Sequence, residues 1–260
     1  MVSTQLLDAL PIGGVFILFA LVAMAFYEAG FRLGLWWQNR EPGEQEGPTG
    51  VLVGSILALL AFLLAVTMGM ASDRFDTRRA IVLAEANSIG TTYLRAGYLP
   101  EGASAEIREL LREYVPLRIQ LTASGDIEAD IKKSGDILAR LWTITEGVAK
   151  TTNQGDLVST FVESVNETID LHESRVTARS ARVPETVVLL LFVGSALSLG
   201  MLGYSAGLTR RRSLLSAAVL IIALGAVLTI VVDLDRPREG LIQVSQQPLI
   251  DLQQQIGPPQ

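Results

Sequence analysis

Between Gly50 and Ala71 the chain carries no charged residue, and at Ser72 it changes at once into Ser-Asp-Arg-Phe-Asp-Thr-Arg-Arg79. No proline interrupts Gly50 to Arg95. A bilayer core is crossed by about 20 consecutive apolar residues in a helix. The stretch therefore predicts one helix that crosses lipid and continues, without stopping, as the first helix of a water-soluble bundle. Gly97, with Pro100 just beyond, marks its predicted end.

The rest of the chain repeats this division. Its apolar fraction is 49% and its charged fraction 18%, below the roughly 25% usual for soluble domains. The deficit is concentrated in four runs with little or no charge. The first span runs from about Leu10 to Tyr27, its helix continuing to Trp37, and Glu28 and Arg32 can pair there on one face. Trp36 and Trp37 read as an interfacial anchor. Without a basic n-region and short apolar core before a cleavage site, this run reads as a retained span. Gln38 to Thr49 reads as a loop. Pro184 opens the third span, Val187 to Thr209, where glycine, serine and alanine recur and Gly203-Tyr-Ser-Ala-Gly207 permits close helix packing with an unspecified partner. Arg210-Arg-Arg212 is a short loop, and Ser213 to Val232 is the fourth span.

Between the second and third spans, three more amphipathic helices are predicted. The first covers about Ser104 to Thr122, with Ile107, Leu110, Leu111, Tyr114, Val115 and Leu121 as its stripe; Pro116 should kink or divide it. Ser124-Gly125 is a turn, with Asp126 near the next N-terminus. The second covers Asp126 to Lys150, with Ile127, Ile131, Leu138, Leu141, Trp142 and Val148. Asn153-Gln-Gly-Asp156 breaks the chain. The third covers Asp156 to Arg182, with Leu157, Phe161, Val162, Val165, Ile169, His172 and Val176. The predicted class is an all-α membrane protein: four transmembrane helices with a soluble helical bundle inserted between the second and third. The expected segments are 1–71 (two spans), 72–183 (bundle), 184–233 (two spans) and 234–260, a polar tail with an amphipathic stretch around Leu241 to Ile256.

Several functions lack their residues. There is no cysteine, and the only histidine is His172, which reads as a bundle residue rather than a ligand. No phosphate loop, nucleophile elbow or metal-ligand spacing occurs, so neither an enzyme nor a cofactor is expected. The net charge of −6 argues against nucleic acid as a partner. Glu85-Ala-Asn87 lies on the long helix, where Glu85 and Asn87 can bind an ion or pair within the bundle. Asp233 and Asp235 with Arg236 are placed to fix the membrane exit of the last span by pairing or capping. Orientation is left divided by the positive-inside rule. Arg32, Arg40 and Arg210 to Arg212 outvote Arg236 and Arg238, but the arginines at both ends of the long insert reverse the vote.

The Asp73-Arg-Phe-Asp-Thr-Arg-Arg79 run directly after a pore-length apolar helix resembles bestrophins, where an Asp-Arg-Trp-Trp-Glu-x-Arg run follows the span. Asp73, Arg74 and Arg79 match, and Phe75 matches in aromatic character. Asp76 and Thr77 depart from that run. The whole chain is similar to the bacterial bestrophin-like domain family. It shares Arg74 to Arg79, Glu85-Ala-Asn87, Asp233-Leu-Asp-Arg-Pro237 and Ser245-Gln-Gln-Pro248. The resemblance implies a homo-oligomeric channel, typically a pentamer, that conducts small anions such as chloride across the bacterial inner membrane. It implies a cytosolic bundle and a hydrophobic neck lined by the second span at Ala58, Phe62 and Val66. These positions, four apart, stack on one helix face; Ala58 would widen its ring. Arg74, Arg78 and Arg79 would form a positive mouth that attracts anions. The alternatives are that Phe62 and Val66 face lipid or a neighbouring span, and that the arginines are a solvated or headgroup-binding patch. On that reading the protein is a non-conducting membrane-anchored sensor or scaffold, whose bundle binds a ligand or protein.

Overall fold

The computed structural model describes residues 10–41, 46–120, 127–151, 155–236 and 240–259, and among these every regular element is a helix. The helices are α1 (Ile12–Arg40), α2 (Glu46–Arg95), α3 (Glu101–Gln120), α4 (Ile127–Thr151), α5 (Gly155–Ser180), α6 (Glu185–Leu208), α7 (Leu214–Asp235) and α8 (Gln247–Ile256). A 3-10 turn, Ala96–Tyr98, follows α2. Among the described residues, four helical stretches, in α1, α2, α6 and α7, are long and apolar enough to cross a membrane. The predicted Ser124-Gly125 turn, Leu121, Asp126, the break at Asn153-Gln-Gly155 up to residue 154, and Arg238 lie outside the described residues.

The chain divides into two units. The first comprises Met1–Phe75 and Arg182–Gln243. Its apolar core contains Phe19 and Ala23 of α1, Leu60 and Leu64 of α2, Leu191 and Leu199 of α6, and Ile221 and Leu228 of α7. The partner of the Gly203–Gly207 face is α1. A Cβ on Gly30 would fall 1.9 Å from the Gly200 carbonyl oxygen, and one on Gly203 would fall 2.0 Å from that of Tyr27. Only glycine admits this backbone-to-backbone approach, which in lipid replaces the hydrophobic effect as the source of helix association. Glu28 accepts from Arg32 Nε at 2.9 Å and also pairs with Arg212, beyond α6.

Carboxylates at the end of α7 hold the neighbouring backbone. Asp233 accepts from the backbone N–H groups of Leu241 and Ile242 at 2.9 and 3.0 Å. Asp235 accepts from the Val183 N–H at 2.7 Å. Gly240 has φ +143°, and a Cβ there would lie 2.0 Å from Asp233 Oδ1. The predicted fixing of this exit thus includes carboxylate-to-backbone hydrogen bonds, which make a glycine obligatory at Gly240.

The second unit comprises Asp76–Ala181 and Val244–Gln260. Val82 and Ile89, Leu111 and Tyr114, Leu138 and Leu141, and Phe161 and Val165 meet in one core, joined by Leu249, Leu252 and Ile256 of α8. Of the amphipathic stretch near the C-terminus, Leu249, Leu252 and Ile256 are therefore part of this core, while Leu241 is exposed. Arg112 donates to the carbonyl of Ile256 at 2.8 Å and satisfies an orphan acceptor at the end of α8. Of the two outcomes expected at Pro116, division does not occur, since α3 continues through it to Gln120; burial of Tyr114, Val115 and Arg118 on both sides of the proline holds the turn in place. Two other expectations are corrected. Trp142 and Leu157 are exposed, while Leu141 and Val158 are buried, because one residue turns a helix face by about 100°. The loop after α1 is also shorter than expected, since α1 reaches Arg40 and α2 begins at Glu46, with Pro48 in the first turn, where proline is tolerated.

Candidate functional site

Within the first unit, α2 buries Val53, Leu60, Leu64, Thr67 and Ala71. These recur at helical spacing and form its inward seam. Phe62 lies about 200° around the helix from Leu60. Ala58, Phe62 and Val66 are all exposed, Phe62 at 65% and Val66 at 46%. A phenylalanine this open on an apolar helix is a surface awaiting lipid or another chain.

The three arginines after the span are not equivalent. Arg79 is exposed, Arg74 is half-buried and Arg78 is buried. Asp73 and Asp76 are exposed beside them. Arg78 is held inside its own chain, which the run of basic residues did not reveal.

Glu85 and Asn87 are separated by the turn of the helix. Asn87 is exposed, whereas Glu85 is fully buried. One Glu85 oxygen, Oε1, accepts from Arg118 Nε at 2.6 Å and from the Tyr114 hydroxyl at 3.3 Å. The other, Oε2, pairs with Arg175 Nη1. Arg175 Nη2 donates to the Arg118 carbonyl at 3.1 Å and to Gln246 Oε1 at 2.6 Å. The Tyr114 hydroxyl also lies 3.0 Å from His172 Nδ1. One proton order satisfies both contacts: neutral His172 donates from Nδ1 to the tyrosine oxygen, and Tyr114 donates onward to Glu85.

The titrations follow from this burial. Desolvation, reinforced by the Arg118 charge, lowers His172 to about 4, so it is neutral near pH 7. Burial raises the Tyr114 hydroxyl above its ordinary range and lowers Arg175, with Glu85 opposing the latter shift. Beside the network, Thr92 Oγ1 donates to the Ser164 carbonyl at 2.9 Å, and the Ser88 and Thr168 hydroxyls lie 2.9 Å apart, joining α2 to α5.

Arg118 and Arg175 are the residues that reading the sequence missed. The available signal was a charge at a stripe position: Arg118 follows Leu111 and Val115 on the buried face of α3, and Arg175 follows Thr168 and His172 on α5. Among the described residues no group of three or more His, Asp and Glu side chains could hold a metal ion.

The sequence profile described as Bestrophin-like domain matches residues 15–249. The fold is similar to crystal structures of a bacterial bestrophin homolog from Klebsiella pneumoniae. One single-substitution variant aligns with a TM-score of 0.72 at 13% identity, covering 94% of this chain and 97% of that one. A second gives 0.71 at 13% identity, covering 93% and 96%. Another crystal structure of the homolog gives 0.67 at 13% identity, covering 93% and 96%. At such identity the likeness is one of fold. No curated protein sequence matches the chain.

Proposed function

The chain belongs to the Bestrophin-like domain family, and from that premise we propose that it is a homo-oligomeric channel passing small anions through a neck lined by α2. Bestrophins are anion channels rather than enzymes, and the family with its fold makes this a membrane protein. The observation that carries the finer reading is the apolar face of α2 bearing Ala58, Phe62 and Val66, which its own chain leaves uncovered. Repeated around an axis, these side chains would form stacked apolar rings, which gate ions by dewetting. Arg74 and Arg79 would supply positive charge at the mouth, where Arg78, being buried, adds only its field. In this reading α1, the apolar part of α2, α6 and α7 are embedded in the bacterial inner membrane, and residues 72–183 form a cytosolic bundle.

Reconstitution tests the proposal. Purified protein in liposomes should release chloride, and Phe62→Ala should raise or deregulate that flux. Silent liposomes containing intact oligomers would reject conduction and leave the sensor or scaffold reading. Conduction insensitive to Phe62→Ala would move the neck away from this face.

A further inference from the structure

The buried network of the second unit does not balance its charge. Glu85 contributes one negative charge, Arg118 and Arg175 each contribute a positive one, and His172 and Tyr114 are neutral around them. Among the described residues in contact within this network, one positive charge is left over, in a place where Arg118 and Glu85 are both 0% exposed. A buried unpaired charge is among the costliest features a fold can carry.

The geometry localises the excess. Arg118 spends Nε on Glu85 at 2.6 Å and lays its guanidinium 5.6 Å from the centroid of the Tyr114 ring. Its outer edge, Nη1 and Nη2, is buried and reaches no hydrogen-bond acceptor among the described residues. Arg175, by contrast, has both Nη atoms engaged, by Glu85, the Arg118 carbonyl and Gln246. The open donors and the surplus charge thus coincide on one guanidinium edge. A guanidinium fork directs its donors in one plane toward a common point.

We propose that the Nη1–Nη2 edge of Arg118 holds a single small monovalent anion of the halide class, enclosed within the second unit. The charge of such an ion cancels the surplus. A spherical ion needs no further donors, whereas a phosphate or carboxylate brings several oxygens that would each require one. Water can accept from the two nitrogens but leaves the positive charge standing. The site lies among α2, α3 and α5 and does not depend on conduction, so silent liposomes leave it untouched.

The test uses the full chain with bromide as the probe. Crystals grown in sodium bromide should show an anomalous peak in direct contact with both Nη atoms of Arg118. In parallel, purified protein is melted at fixed ionic strength in sodium bromide, sodium chloride and sodium gluconate. Both halides should raise Tm by about 4 °C over gluconate. Arg118→Gln should abolish that difference, and Glu85→Gln, which increases the local positive charge, should enlarge it. An ordered water without anomalous signal at this edge overturns the proposal. So does bromide bound only elsewhere. Should either variant fail to fold, the anomalous map of the unmodified chain decides the matter.

Discussion

Glu85 shows how one buried carboxylate can organise a bundle. It occupies a core position of α2 and holds arginines from α3 and α5, so its loss would strand two buried cations. His172 belongs to the same network and gives it a pH dependence. Its pKa falls from an ordinary 6.5 to about 4 on folding. The unfolded chain therefore binds the proton first, and stability present above about pH 6.5 is lost as pH falls towards 4. The loss is on the order of 3 kcal/mol at most. His172→Gln, whose amide can still donate to Tyr114, should flatten the melting temperature across this window. An unchanged acid slope would assign the loss to other groups. The role of Glu85 was half-legible in the sequence: a polar residue on a long helix was visible, but not whether it would meet an ion or a partner. That was decided by arginines 33 and 90 positions away, and no local pattern encodes contacts of that separation.

At the scale of elements, α1 and α6 are the pair with the strictest requirement. The glycine face of α6 was visible as a motif, but its partner was not, although Gly30-Phe-Arg-Leu-Gly34 on α1 repeats the same spacing. Gly203→Val should cost about 3 kcal/mol or more, because its neighbour is a carbonyl that cannot swing aside. Gly194→Ala should be tolerated, since its nearest neighbour is the Leu60 side chain at an ordinary 3.6 Å. Thermal melts in detergent compare the two; equal losses would mean that the α1–α6 approach is not the cause. The same scale explains α3. Proline removes one N–H and crowds the preceding turn, but the buried residues flanking Pro116 hold the helix together. Propensity is a weak prior against packing.

For the whole molecule, the open question is what covers the exposed side of α2. A pore requires several copies, each of 28.0 kDa. Native mass spectrometry in detergent should find a closed assembly, about 140 kDa if it is a pentamer of such chains. A strictly monomeric particle would remove the basis for a shared passage. Arg175 carries a related lesson for orientation: counted as a loop-end charge, it entered the positive-inside vote, yet it sits in the network around Glu85.

Hydropathy and helical period alone determined that this chain is helical, that four of its stretches suit a bilayer, and, Trp142 and Leu157 apart, much of the inward face of α3 to α5. These follow from local rules: backbone groups in lipid must be satisfied within the segment, and apolar stripes must be hidden. Only the tertiary structure decided that α1 is the partner of the glycine face, that α8 completes the second core, and that Glu85 is shared by two arginines while Asn87 is left outside. Those outcomes depend on which distant side chains arrive at the same point. Burial then sets their charge and hydrogen bonding far more strongly than residue type does.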